Sequence, residues 1–180
     1  MALLTSEAFY AQTNKYEKVA LDCTIKIFKS KDIDFNKEMW EYEKYLIDKG
    51  YIKNSSGESY ISFFEKVLSI NAIPATRKEN LFNKLSGFNF NEFCFEREML
   101  SFKRDSKELE ASKFYHFIIK VNKIPDSKKY FSSLANAVLE TFDSKDFENS
   151  LIKNVLLMNI ALGANDSGHE TFEKLKSIDW

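Results

Sequence analysis

Apolar residues recur along most of this chain at intervals of three and four positions, a spacing that gathers them on one face of an α-helix. The stretch 15–29 shows the pattern, with Tyr16, Ala20, Cys23 and Ile27 on one side. Only 5 glycines and 2 prolines interrupt the 180 residues, too few for the turns of a β-sandwich or barrel. The sequence therefore predicts an all-α fold.

Capping residues and helix breakers mark where several of these helices should begin and end. Asp34 is a suitable N-cap for a helix through Asp48, which Lys49-Gly50 would terminate. The segment Asp105–Glu108 has the pattern of a capping box, and it predicts a single helix running to Lys123.

A final long helix is expected after Ser144, with its end just before Gly163. Because residues 151–162 are apolar on nearly every side, this helix should occupy the centre of a bundle. The stretch Phe88–Phe95 alternates instead, so it is either helical or a short extended segment. The whole pattern predicts a compact bundle of about seven helices in one domain, residues 15–180.

The charges are balanced and evenly distributed, with 26 Lys+Arg against 27 Asp+Glu and a formal net charge of −1. This balance argues against a nucleic-acid-binding protein, which would need many cations to neutralise phosphates. No apolar run reaches the roughly 18 residues of a membrane-spanning helix, so none is predicted.

Residues 1–14 resemble the last third of a secretory signal peptide, although a basic segment and a full apolar core are missing. The ending Phe9-Tyr10-Ala11-Gln12 is similar to the close of signal peptides in exported bacterial proteins. This resemblance implies a periplasmic or secreted protein. The alternative is a cytoplasmic protein whose first residues are a frayed or helical N-terminus.

Cys23 and Cys94 are the only cysteines of the chain. They would form a disulfide in an exported protein, or remain buried thiols in a cytoplasmic one. The sequence does not decide between these states, because pairing requires the two Cα atoms to lie within about 7 Å.

A degenerate calcium-binding loop is the one metal-like pattern. Asp32, Asp34 and Asn36 alternate as oxygen ligands would, and Glu43 occupies the twelfth place. Lys37 stands where the loop needs a glycine for its sharp turn, so the pattern is better read as a helix start capped by Asp34. We therefore expect no metal here.

Four basic side chains share one face of the predicted helix 107–123, namely Lys113, His116, Lys120 and Lys123. They could form an anion-binding patch whose charge changes near the imidazole pKa of about 6.5. The more ordinary interpretation is a solvated basic face, because exposed lysines are the rule.

The aromatic content offers a second candidate surface. Most of the 17 Phe and 8 Tyr should be core residues, but Trp40, Tyr45 and Tyr51 flank the main apolar stripe of the helix that ends at Asp48, Tyr51 just beyond that end. If partly exposed, they would suit a partner protein or a small apolar ligand.

The sequence contains none of the common nucleophile, phosphate-binding, dinucleotide-binding or zinc-protease motifs, and no cofactor is expected. Our leading hypothesis is a non-catalytic helical interaction domain of an exported protein. The alternatives are a cytoplasmic regulatory or defence-associated protein and an enzyme whose site is assembled only in three dimensions.

Overall fold

A computed structural model describes residues 14–70, 79–85, 107–124 and 130–163 of the chain. These ranges contain eight α-helices, one 3₁₀ helix and no strand, which confirms the all-α prediction. The 3₁₀ helix is Ser144–Glu148, and the α-helices are α1 Lys15–Lys29, α2 Phe35–Asp48, α3 Gly57–Ile70, α4 Glu79–Leu85, α5 Lys107–Glu110, α6 Lys113–Val121, α7 Tyr130–Thr141 and α8 Ser150–Gly163.

Three sequence predictions fall elsewhere in the chain. The stretch Phe88–Phe95, the predicted capping residue Asp105 and the N-terminal residues 1–13 all lie outside the described ranges. Within those ranges, no helix combines the length and the hydrophobicity needed to cross a bilayer.

Helix α8 lies at the centre of the fold, as its sequence predicts. It packs against α1, α2, α4 and the 3₁₀ helix. Its side chains are buried in every direction, including Leu151, Val155, Met158 and Ile160. Each large apolar side chain buried in this way stabilises the fold by about 1.5–3 kcal/mol, so α8 makes a substantial contribution to core stability.

A second layer is formed by α3, α7 and α6, which pack side by side in that order. The 3₁₀ helix joins this layer to the core. Its Phe147 ring stacks on Tyr60 of α3 with centroids 4.9 Å apart, and it also meets Phe142 edge-on at 6.4 Å. Among the described residues, the aromatic side chains at helical spacing are thus mainly core residues, as the sequence indicates.

Helix α3 approaches the 3₁₀ helix too closely for any side chain at its first residue. A Cβ atom added to Gly57 would lie 1.7 Å from the backbone oxygen of Ser144. Only glycine permits this contact, because it alone has no Cβ atom. Gly57 therefore fixes how closely α3 and the 3₁₀ helix pack.

The predicted boundaries of α2 are confirmed. The Asp34 side chain accepts a hydrogen bond from the backbone N–H of Lys37 at 3.1 Å, as an N-cap does. After the helix ends, Gly50 adopts a φ of 75°, in the left-handed region that glycine tolerates best.

The single helix predicted up to Lys123 is wrong, because the chain breaks between α5 and α6 at Ser112. This side chain is completely buried, and its Oγ accepts a hydrogen bond from the backbone N–H of Tyr115 at 3.1 Å. The same hydroxyl donates to Oε1 of Glu17 at 2.7 Å. Ser112 therefore begins a new helix while binding a carboxylate of α1.

The helix predicted to start at Ser144 is also divided. Asp143, rather than Ser144, caps the 3₁₀ helix, in a capping box with Asp146. Asn149 then restarts the chain as α8, since its Oδ1 accepts from the backbone N–H of Leu151 at 3.0 Å.

Ser112 and Asn149, the residues that begin α6 and α8, both bind the carboxylate of Glu17. The Nδ2 of Asn149 donates to Oε2 of Glu17 at 2.7 Å, while Ser112 holds Oε1. Glu17 is only 6% exposed, and each of its two carboxylate oxygens accepts a hydrogen bond from the residue that begins α6 or α8. One side chain of α1 thereby positions the beginnings of two other helices.

A second buried carboxylate, Glu43 of α2, connects three helices. It accepts a hydrogen bond from the Tyr60 hydroxyl of α3 at 2.7 Å, and the Nζ of Lys153 in α8 lies 3.3 Å from the same oxygen. Burial, followed by the neighbouring carboxylate, raises the pKa of Tyr60 above its ordinary value. The Tyr60 hydroxyl therefore remains a hydrogen-bond donor to Glu43.

Candidate functional site

An open groove of about 480 Å³ runs between α3 and α7 and ends at the 3₁₀ helix. We call it the α3–α7 groove. Ile61, Leu139 and Phe142 supply its apolar floor, and carboxylates from both sides form its rim. Ligand-binding clefts commonly have volumes of this order.

The groove wall on α3 comes from residues at regular helical spacing. Glu58, Ile61 and Glu65 are separated by three and four positions, so they share one face. Leu68 continues this face for another turn and is 39% exposed. The wall therefore alternates acidic and apolar side chains along its length.

The pKa values of two of the rim carboxylates, Glu58 and Asp143, are lowered, which favours their ionised form. The pKa of Glu58 is lowered by its own backbone N–H and by hydrogen bonds from the Ser144 and Ser56 hydroxyls. The pKa of Asp143 is lowered chiefly by Lys113, whose Nζ lies 3.0 Å from Oδ2 of Asp143. None of the described residues that line the groove is a cation. The groove is thus suited to a positively charged group with an apolar body.

Trp40 lies on the outer side of α2 and is 60% exposed. A turn of about 100° per residue places Lys37, Lys44 and Ile47 within roughly 60° of it, together with Asn36, which binds Asn154, and the buried Glu43. Lys37 and Lys44 are exposed, and Ile47 is partly buried. We call Trp40, Lys37, Lys44 and Ile47 the Trp40 face.

The other two aromatic residues of the predicted patch lie elsewhere on α2 and beyond it. Tyr45 is about 140° around the helix from Trp40, and its ring stacks on Tyr42 with centroids 6.1 Å apart. Burial, and then the nearby Tyr45, raises the pKa of Tyr51. Tyr45 is therefore an electrostatic neighbour of Tyr51 and lies on a different side of α2 from Trp40. Binding by any of the three stays a prediction.

The predicted anion patch is largely engaged in ion pairs. Lys113 binds Asp146 at 2.6 Å and Asp143 at 3.0 Å, and these contacts raise its pKa, Asp146 contributing most. This lysine thereby fastens the N-terminal end of α6 to the 3₁₀ helix.

The remaining members of that patch face different surroundings. Lys120 pairs with Glu140 of α7 at 3.1 Å, and the Nε2 of His116 lies 2.9 Å from the backbone oxygen of Glu110. Lys123 is exposed beyond the end of α6. The structure does not gather the four side chains around one anion-sized space.

The residues of the calcium-like loop also have protein partners. Asn36 accepts a hydrogen bond from the Nδ2 of Asn154 at 3.0 Å, and Glu43 is bound to Tyr60 and Lys153. Asp34 caps α2, while Asp32 has a φ of 57°. In the part of the chain that the structure describes, no group of three His, Cys, Asp or Glu side chains is placed to hold a metal ion.

Cys23 of α1 is disulfide-bonded. Its side chain is partly buried, on the face that the helical pattern assigns to it. Cys94, the only other cysteine, lies outside the described residues, so its pairing with Cys23 stays a prediction.

The α3–α7 groove is not predicted by any single stretch of the sequence. The available signal was the seven-residue repeat of Glu58 and Glu65, interleaved with Ile61 and Leu68. That pattern shows a mixed acidic and apolar face on α3, but only the packing of α7 against α3 turns it into a concave surface.

The chain matches no protein-family model, no curated protein and no solved structure. Its function is therefore inferred from the two surfaces described above, the α3–α7 groove and the Trp40 face.

Proposed function

We propose that this chain is a non-catalytic interaction domain and that the α3–α7 groove is its binding surface. The observation that carries the proposal is an open groove of about 480 Å³ whose lining combines apolar side chains with carboxylates. An open groove between two helices admits a few side chains of a partner segment and leaves their backbone outside.

The chemistry of the groove defines the partner. Ile61, Leu139 and Phe142 favour an apolar side chain of the partner. Glu58 and Glu65, both on α3, favour cations that precede and follow that side chain along the partner segment. Acidic rims of this kind increase the association rate of basic partners and reject acidic ones. The groove therefore fits an amphipathic segment in which lysine or arginine flanks an apolar residue.

A titration with a defined probe tests this binding. The probe is a synthetic amphipathic peptide of Lys and Leu at helical spacing, added to the isotope-labelled full chain and followed by NMR. We expect the amide signals of Ile61, Ser62, Glu65 and Leu139 to shift in a saturable way. A peptide of the same pattern with Glu in place of Lys is the control, and it should leave these signals unchanged.

Two matched variants locate the site. Glu65→Gln removes one rim charge and should weaken peptide binding several-fold, whereas Asp22→Asn removes a charge on α1, which does not line the groove. Equal binding by both variants, or shifts that do not involve the groove amides, would show that the groove is not the binding surface.

We further propose that the domain works in an oxidising compartment, as an exported protein. The Cys23 disulfide supports this location, because such bonds persist mainly outside the reducing cytoplasm. Intact mass after thiol alkylation, measured on protein from fractionated native cells, tests the proposal. We expect an unalkylated chain outside the cytoplasm. A cytoplasmic chain with two alkylated cysteines would favour the regulatory alternative.

A further inference from the structure

We propose that the α3–α7 groove binds Trp40 from a second copy of this chain, so that the protein associates with itself head to tail. The inference rests on the proposed function, since it names the partner of the same groove. Both halves of the proposed contact are present on each copy, and they lie on different helices.

Exposed apolar area is the first argument. Among the described residues, the large apolar side chains that remain exposed are Trp40, at 60%, and Leu68, at 39%. Trp40 projects from α2, and Leu68 continues along α3 the face on which Ile61 and Glu65 line the groove. Contact between two copies would remove both from water, and a buried tryptophan is among the most effective anchors of protein interfaces.

Charge complementarity is the second argument. Trp40 lies between Lys37 and Lys44, while the groove floor at Ile61 lies between Glu58 and Glu65. The Trp40 face is therefore positive on both sides of its aromatic residue, and the groove is negative on both sides of its floor. The net charge of −1 adds little long-range repulsion between copies.

The spacing of these charges matches. Lys37 and Lys44 are seven residues apart on α2, as Glu58 and Glu65 are on α3. At a rise of about 1.5 Å per residue, each pair spans about 10.5 Å. Two helices laid alongside each other can thus form both ion pairs while the indole enters the groove.

The contact joins different surfaces of the two copies. Helix α2 packs on α1 and α8, whereas α3 and α7 form the groove. An interface of two unlike surfaces adds further copies instead of closing a dimer. One tryptophan buries about 150–250 Å², well below a standard interface, so each contact should be weak and reversible.

Sedimentation velocity on the full oxidised chain tests the inference, at concentrations from about 10 µM to about 1 mM. We expect the wild-type sedimentation coefficient to increase with concentration and to fall again in high salt. Trp40→Ala and Glu65→Lys should each weaken association by about tenfold or more. Asp22→Lys, which makes the same charge change on α1, should associate as the wild type does. Circular dichroism confirms that each variant is folded.

Mixing the two defective variants gives the sharpest result. Trp40→Ala retains an intact groove, and Glu65→Lys retains an intact tryptophan. Together they should form a one-to-one dimer that does not grow, because the Trp40→Ala copy has no tryptophan to extend it. Contact between two Trp40 faces predicts no complex in this mixture and would overturn the inference.

Failure of the inference can be told apart from failure of the proposed function. A wild-type chain that stays monomeric at all concentrations overturns self-association. If the groove amides of that same sample still respond to the Lys and Leu peptide, the groove binds a different basic partner. If they do not respond, the binding function of the groove is refuted as well.

Discussion

Substituting Gly57 by alanine tests the closest backbone contact of the fold. The new Cβ would lie 1.7 Å from the Ser144 oxygen, 2.5 Å from its carbonyl carbon and 2.7 Å from its Cα. Carbon and oxygen atoms normally approach to about 3.3 Å, so α3 must retreat by about 1.6 Å. The obstacle is backbone, which cannot rotate away as a flexible side chain could.

The expected change in the unfolding free energy of Gly57→Ala results from two opposing effects. Overpacking at a well-packed contact costs about 1–3 kcal/mol. Alanine stabilises a helix interior by up to about 1 kcal/mol relative to glycine, but residue 57 is the first of α3, where this gain is smaller. We expect a net loss of about 2 kcal/mol in unfolding free energy. For a chain of this size, the melting temperature should fall by about 4–8 °C.

Urea and thermal unfolding followed by circular dichroism measure this change. Gly50→Ala is the matched control, since Gly50 has a φ of 75° and no atom within 4 Å of an added Cβ. It should lose about 1 kcal/mol through backbone strain alone, and Gly50→Asn should recover much of that loss. A Gly57→Ala protein as stable as the wild type, or more stable, would refute the close contact between α3 and the 3₁₀ helix.

Three further changes test the polar contacts and the disulfide. Lys153→Met leaves the buried Glu43 without its cation. Because Lys153 is 25% exposed and solvent screens part of the interaction, we expect the unfolding free energy measured in urea to fall by about 2 kcal/mol. An unchanged urea midpoint would contradict the ion pair. Lys113 lowers the pKa of Asp143, so this carboxylate takes up its proton at a higher pH in the unfolded chain than in the folded one. The resulting stability is present above the ordinary Asp pKa of 3.8 and is lost as the pH falls through the lower pKa of the folded state. Urea midpoints measured from roughly pH 5 to pH 2 should therefore fall less in Asp143→Asn than in the wild type. Identical pH profiles of the two proteins would argue against the ion pair. Reduction of the Cys23 disulfide should cost about 2–5 kcal/mol, measured as a lower melting temperature in reductant, and a melting temperature that does not respond would show that the bond does not stabilise the fold.

Local sequence signals predicted those parts of the fold that local chemistry determines. The Asp34 side chain caps α2 through a backbone N–H three residues away, so its role is visible in a short window. The central position of α8 was equally predictable from the sequence, because a helix that is apolar all round must be buried on all sides.

The breaks at Ser112 and Asn149 were missed for a definite physical reason. Both residues follow helix-compatible sequence, and each is held as a cap by Glu17, which is 95 and 132 residues away from them, respectively. Local propensity cannot register a hydrogen-bond partner at that separation. The groove was missed for the same reason, since it exists only where α3 and α7 pack together.

The positions of the candidate binding residues were predicted in part, whereas binding itself stays a prediction. The sequence left open whether Trp40, which deviates from the apolar stripe of α2, is exposed, and the structure gives 60%. Tyr45 was grouped with Trp40 because both flank that stripe, and five residues of helix place the two about 140° apart. The lysines of α6 were counted as one charged face, but Lys113 and Lys120 are paired with carboxylates of neighbouring elements.

Glu17 binds the cap residues of two helices, Ser112 and Asn149, and this has a consequence for local opening motions. If α1 lifts away, Ser112 and Asn149 lose the same carboxylate at the same moment, so the first turns of α6 and α8 should open as one cooperative unit. Hydrogen exchange at the amides of Tyr115 and Leu151 should then report a common opening free energy, reduced equally by Glu17→Ala. Unequal reductions would mean that the two turns fray independently. A side chain near the start of the chain thereby governs how rigidly two much later helices begin.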